Sequence, residues 1–258
     1  MKRIVSIGFL LLWAPSAFAS AFMSPSAQST NYALEIRLGP YKPSISSNDA
    51  VKDWYNLNFP EKSSIINGHP LMYGVETDWY LFDRFGLTGI YGRIGYWKAS
   101  GSTRACSLNT TCNFDNATAT NKDGNGTQNF SALPLSMGVV YRATFIKEKW
   151  SIPLVPYGKA GIDYWFWWNT ANGSTSYSGG KRAKGGTWGW HATAGLALNL
   201  DFIEPNTAAQ AQQASRLNDT YLFFEAQWNF ADDFGQSNSK PEFSSAPQYT
   251  MGLTFEFY

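Results

Sequence analysis

Tyr249-Thr250-Met251-Gly252-Leu253-Thr254-Phe255-Glu256-Phe257 runs almost to the end of the chain, and every second residue in it is large and apolar. Successive side chains of a β-strand point to opposite faces, so Tyr249, Met251, Leu253, Phe255 and Phe257 share one face while Thr250, Thr254 and Glu256 occupy the other. An apolar ladder that is this regular, and is rich in aromatic residues, suits contact with lipid on one side and polar surroundings on the other.

Seven earlier segments repeat the pattern. Tyr32, Leu34, Ile36 and Leu38 oppose Ala33, Glu35, Arg37 and Gly39; Leu71, Tyr73, Val75, Trp79 and Leu81 oppose Gly74, Glu76, Asp78 and Tyr80. Ile90, Ile94 and Tyr96 oppose Tyr91 and Arg93, with Asp83 and Arg84 marking the turn before them. Leu133 to Phe145 sets Leu135, Met137, Val139, Tyr141, Ala143 and Phe145 outward against Ser136, Arg142 and Thr144, with Pro134 expected near the outer rim, where a missing ladder donor is tolerated. Ile162, Tyr164, Phe166 and Trp168 oppose Lys159, Asp163, Trp165 and Trp167; Trp190, Ala192, Ala194, Leu196 and Leu198 oppose His191, Thr193 and Ala197; Leu222, Phe224, Ala226, Trp228 and Phe230 oppose Tyr221, Phe223, Glu225 and Gln227.

The connections alternate between long and mostly short, which sets the sidedness: residues 42–68, 99–129, 169–187 and 231–246 are expected to be external. Residues 201–218 are long for a turn on the other side, and Pro205 followed by the Ala- and Gln-rich run Thr207 to Arg216 predicts one short periplasmic helix. Together these features predict an all-β fold: an antiparallel transmembrane β-barrel of about eight strands, with ten as the alternative. A secreted β-sandwich, the soluble rival, would have shorter and more evenly spaced strands.

Lys2 and Arg3 precede the apolar run Ile4 to Trp13, and Ala17-Phe18-Ala19 supplies the small residues of a signal-peptidase site. The expected organisation is therefore a signal peptide at 1–19, a periplasmic segment at 20–30 and the barrel domain at 31–258, located in the outer membrane of a Gram-negative bacterium. With the signal removed, eighteen basic residues face nineteen acidic ones, which argues against a nucleic-acid partner. Aromatic residues make up 17% and charged residues only 15%, a pairing that fits an apolar wall around a polar interior.

The inward face carries Arg37, Arg93, Arg142 and Lys159 against Glu35, Glu76, Asp78, Asp163, Glu225 and Glu256. The lumen of an eight-stranded barrel is just wide enough to be filled by side chains, so these groups are expected to pair as a charge network that plugs it. Cys106 and Cys112 share one external loop, where an oxidising periplasm favours a local disulfide. His69 and His191 lie elsewhere in the chain, so no metal site or cofactor is expected. Around the third external loop, Trp165, Trp167, Lys181, Arg182, Lys184, Trp188 and Trp190 form a candidate ligand-binding set, in which cations meet phosphates and indoles stack on sugars.

The run Ile152 to Gly161, then Trp167-Trp168, then Lys184-Gly185-Gly186-Thr187-Trp188-Gly189-Trp190, then Asp219-Thr220-Tyr221-Leu222-Phe223-Phe224-Glu225 resembles a family of uncharacterised outer-membrane β-barrel proteins described from myxobacteria. The likeness is densest between residues 150 and 230. It implies the fold and the outer-membrane location but carries no substrate.

The functional expectation is a non-enzymatic barrel with a filled lumen and a structural or surface-binding role, through glycan, lipopolysaccharide or adhesion contacts. Its expected partners are outer-membrane lipids and lipopolysaccharide, the barrel-assembly machinery during biogenesis, and a surface glycan or a host or prey ligand. The rivals are a lipid A acyl hydrolase or transferase built around His191, for which Thr193 stands where a Ser is wanted, and a narrow channel.

Overall fold

A computed structural model describes residues 30–45, 59, 70–102, 126–150, 152–175, 177–178, 181–201, 203, 215–235 and 241–258. Eight long antiparallel strands form the barrel: β1 (Tyr32–Pro40), β2 (Leu71–Phe82), β3 (Leu87–Ser102), β4 (Thr127–Arg142), β5 (Leu154–Ala171), β6 (Lys184–Asn199), β7 (Leu217–Phe230) and β8 (Ser245–Phe257). Each pairs with its neighbours in sequence, and β1 pairs with β8 from Tyr32↔Phe257 to Leu38↔Met251, which closes the sheet on itself. Closure removes the unpaired backbone edges that could not exist in hydrocarbon. At the seam the rings of Tyr32 and Phe257 stack at 5.0 Å.

The alternation expected from sequence sets the two faces. Ile36, Tyr73, Ile94, Met137, Ile162 and Phe224 are exposed on the outer wall, while Glu35, Glu76, Asp78, Arg142 and Lys159 are buried inside. Such an inverted distribution, apolar without and charged within, fits a wall facing lipid.

Several boundaries differ from the sequence reading. β3 continues to Ser102 and β4 begins at Thr127, and β5 and β6 reach Ala171 and Lys184, so the second and third external connections are shorter than expected. The two-residue strands Tyr177–Ser178 and Lys181–Arg182 pair within the third. β4 stops at Arg142: Ala143 is buried rather than outward, and Phe145 opens a six-residue helix, α1 (Phe145–Trp150), in the β4–β5 connection. Pro134 sits in the middle of β4 instead of near the rim. Lacking an N–H, it interrupts the ladder to β3 between Ile94↔Leu135 and Trp97↔Ala132. Gly95 opposite leaves room for its ring, since a Cβ there would lie 2.8 Å from Pro134 Cγ.

The β2–β3 turn at Asp83 and Arg84 is as expected, and Gly86 adopts φ 104° with its Cα against the Arg142 carbonyl. The signal peptide, nearly all of the 20–30 segment, His69, the Cys106–Cys112 pair, the side chain of Lys181 and nearly all of the Thr207–Arg216 segment lie outside the described residues.

Candidate functional site

The interior is filled along its length, with an aromatic cluster at one mouth and polar and charged side chains interleaved beneath it. At the mouth that carries the long connections, the chain leaving β1 and the chain entering β8 fold inward. Tyr41 stacks on Trp165 at 5.2 Å, Trp165 on Phe243 at 5.0 Å, and Phe243 on Phe130 at 6.0 Å, while Trp97 meets Tyr41 edge-on at 5.8 Å. The Tyr41 hydroxyl donates to the Phe243 carbonyl, and Trp97 Nε1 donates to the Tyr41 carbonyl at 3.2 Å. Ile45 and Phe59 complete a buried aromatic plug.

Beneath it lies a polar chain. Ser136 Oγ donates to Asp163 Oδ1 at 2.5 Å, Asp163 Oδ2 lies 2.8 Å from His191 Nδ1, and His191 Nε2 lies 2.5 Å from the Tyr91 hydroxyl. The carboxylate can only accept, so it assigns the proton to Nδ1 and leaves Nε2 to accept from Tyr91. A cavity of about 10 Å³ between this chain and the plug, lined by Arg93, Ser136, Asp163, Trp165 and Gln227, has room for about one water.

Level with this chain and below it runs the charge network. Glu76 accepts from Arg37 Nη1 at 2.5 Å, from Arg93 Nε and from Lys159; Arg37 also donates to Glu225. Arg93 Nη1 donates to Gln227 at 2.6 Å. Lys159 Nζ reaches Glu35 at 2.8 Å and lies 3.7 Å from Asp78. Nearest the other mouth, Arg142 spans Glu35 and Glu256, both at 2.7 Å. Its guanidinium lies 5.2 Å from the ring centroid of Tyr157 and 5.6 Å from that of Tyr221.

Six carboxylates face four fixed cations in this set, and neutral donors add to the pairing, Tyr80 to Asp78 at 3.2 Å, Tyr157 to Glu225 at 3.0 Å and Thr254 to Glu35 at 3.2 Å, while Asp78 Oδ1, Arg93 Nη2 and Arg142 Nε are buried with no hydrogen-bond partner. Ion pairs taken out of water gain most when every leftover lone pair and proton is satisfied, so these three unpartnered atoms lower the net gain of the network. Among the described residues, Glu35, Glu76 and Asp78 each bring a carboxylate oxygen within 4.8 Å of the others, the spacing of a metal site. The Lys159 ammonium already reaches all three.

The candidate ligand set divides. Trp165 is 1% exposed, held in the plug between Tyr41 and Phe243, so it cannot stack on an external sugar, while the half-buried Trp167 packs against that cluster. Trp188 and Trp190 are on the opposite face, each 45% exposed on the outer wall, with Trp188 4.6 Å from Tyr164 and Trp190 stacked on Phe230 at 4.1 Å. Period-two alternation separates the pairs, because odd-numbered Trp165 and Trp167 point inward on β5 whereas even-numbered Trp188 and Trp190 point outward on β6. Arg182 and Lys184 are exposed at the end of the barrel that carries the plug.

The catalytic rival also meets its geometry here. Ser136 bonds Asp163 rather than His191, and Tyr91, Asp163 and His191 are all buried under the plug. The sequence reading put Tyr91 inward without a role and missed Tyr41 and Phe243. Tyr41 continues the inward parity of Ala33, Glu35, Arg37 and Gly39 and could have been found. Phe243 could not, because a register shift between Gln227 and Asn229 breaks the parity of β8 before it.

No protein-family model matches the chain, and no curated protein matches its sequence. Among solved structures, the outer membrane protein OprG from Pseudomonas aeruginosa is 10% identical, with 90% of this chain and 98% of that one covered and a TM-score of 0.46. A major outer membrane protein from Thermus thermophilus is 13% identical over 89% and 100% of the two chains, at 0.42. Ail, the attachment invasion locus protein of Yersinia pestis, is 10% identical over 90% and 100%, at 0.37.

Proposed function

We propose that this chain is a non-enzymatic outer-membrane β-barrel protein of the kind resembled by the myxobacterial family, with a sealed lumen and a structural or surface-binding role. The observation that carries this reading is the packing of plug, polar chain and charge network, in which the cavity beneath the plug has room for about one water. A filled interior sends function to the external face and the wall. Arg182 and Lys184, exposed beyond the outward Trp188 and Trp190, are the cations this reading assigns to phosphate or glycan contact, together with Lys181. The buried Trp165 has no part in it. Outer-membrane lipids and lipopolysaccharide are its partners, with the barrel-assembly machinery acting during biogenesis, and a glycan or a host or prey surface is the further ligand class.

The burial of Tyr91, Asp163 and His191 argues against the lipid A-modifying enzyme, whose nucleophile must reach an ester at the lipid surface. Two experiments test the reading. Mass spectrometry of lipid A from wild-type and deletion strains is expected to give identical acylation; an altered pattern supports the enzyme. Replacement of Lys181, Arg182 and Lys184 by Ala is expected to weaken binding to immobilised lipopolysaccharide, and unchanged binding removes the loop from the proposal.

A further inference from the structure

The outer wall is not uniformly convex. Across β6, β7, β8 and β1 it holds a trough of about 580 Å³ with an apolar lining, within the ~300–1,000 Å³ range of small-molecule sites. Its floor is made by Ala194 and Ala226, which pair directly across the β6–β7 ladder. Its sides are Leu38, Leu196, Phe224 and Met251, all exposed outward, with Tyr249 at the register position of Ala226 on β8. Alanines between large neighbours create the depression: one step toward the external end the same ladder pairs Ala192 with Trp228, and one further pairs Trp190 with Phe230. The trough therefore begins just below the aromatic belt.

Pro40, the last residue of β1, lines its edge, and Lys42, two residues on, is exposed. An apolar slot continuous with the lipid-facing wall, ending below an exposed cation near the external mouth, matches an amphiphile with an anionic head and an extended hydrocarbon tail.

We propose that this trough is a lipid site that seats one acyl chain of a phosphorylated glycolipid from the external leaflet, with a phosphate of its headgroup at Lys42. The choice of a glycolipid over a glycerophospholipid rests on the outer-membrane reading above; the slot and its cation do not.

The test uses the full mature chain, folded in detergent and titrated with bis-phosphorylated lipid A, with bound lipid read by native mass spectrometry. Wild type is expected to retain one lipid A, Ala226→Trp to lose affinity by about tenfold or more, equivalent to ~1.4 kcal/mol or more, and Lys42→Glu to weaken binding less severely. Met137→Trp, outward on β4 across the barrel, is expected to bind as wild type. A boiled-versus-unboiled gel shift checks that each variant is folded, and Ala194→Leu replaces Ala226→Trp if the latter is not. Binding unaffected by the trough-filling variant overturns the site. Phosphatidylglycerol bound as tightly as lipid A overturns the choice of glycolipid. Cell fractionation that finds the protein outside the outer membrane, while trough-dependent binding persists in detergent, counts against the outer-membrane reading and not against the slot.

Discussion

Arg142 and Glu256 meet at 2.7 Å inside the barrel, joining the last residue of β4 to the penultimate residue of β8. The same guanidinium holds Glu35 on β1, so one side chain ties three strands together across the lumen. Replacing Arg142 by Ala leaves the buried Glu256 without its cation and Glu35 with the Lys159 cation alone, and losing one partner of a buried pair costs ~3–5 kcal/mol. Urea unfolding in detergent is expected to show a loss of that order, with a smaller loss for Glu256→Gln, which keeps an acceptor for Arg142.

The plug is a packing feature rather than an electrostatic one. Phe243→Ala removes a ring stacked on both Trp165 and Phe130, and large-to-small changes of this kind cost ~3–5 kcal/mol when the site cannot collapse. Near-UV circular dichroism should lose its Trp signal in this variant while the far-UV strand signal remains. Retention of the full near-UV signal would show that Phe243 is not part of the aromatic stack.

At the turn between β2 and β3, Gly86 has φ 104°, and a Cβ would sit 2.3 Å from the Arg142 carbonyl oxygen. Gly86→Ala is expected to destabilise the barrel by ~1–3 kcal/mol, the usual cost of a strained backbone position. A midpoint unchanged in urea would contradict the turn geometry.

Just past β6, Asp201 accepts from the Thr220 N–H at 3.3 Å beside Asp219, which accepts from Asn199 at 2.7 Å and from Lys147. Partial burial, followed by the adjoining Asp219 carboxylate, raises the Asp201 carboxyl above its ordinary value. A carboxyl whose pKa is higher folded than unfolded favours the native state below its unfolded value, and that advantage is lost as pH rises through the folded value. Asp201→Asn, which keeps the Thr220 contact, is therefore expected to raise stability at neutral pH and to give no gain under acidic conditions. The comparison is made by thermal melts across that range, and a variant less stable at neutral pH would contradict the repulsion.

The wall and the charged interior were legible because a barrel strand obeys a strict period of two. Ile36 and Arg37, or Met137 and Ser136, differ in face by one position, and no tertiary contact is needed to sort them. What escaped the reading lies where that period ends. α1 begins three residues past the end of β4, and Phe243 folds inward through a connection whose parity a register shift has broken. Trp165 was correctly assigned inward, yet it was grouped with Trp188 and Trp190 by nearness in sequence. The hairpin between β5 and β6 brings these residues to one height but leaves them on opposite sides of the wall. The Asp163–His191–Tyr91 chain draws on three strands, and the alignment of β3 with β6 across the lumen depends on barrel tilt, which a single sequence does not reveal.

Single-channel recording of the purified barrel in planar bilayers tests the sealed lumen most directly. With Arg37, Arg93, Arg142 and Lys159 held by carboxylates beneath an aromatic plug, the wild-type protein is expected to show no steady conductance. Reproducible wild-type currents, with ion selectivity that reverses when Arg93 or Arg142 is replaced by Glu, would contradict it and establish a charged channel instead.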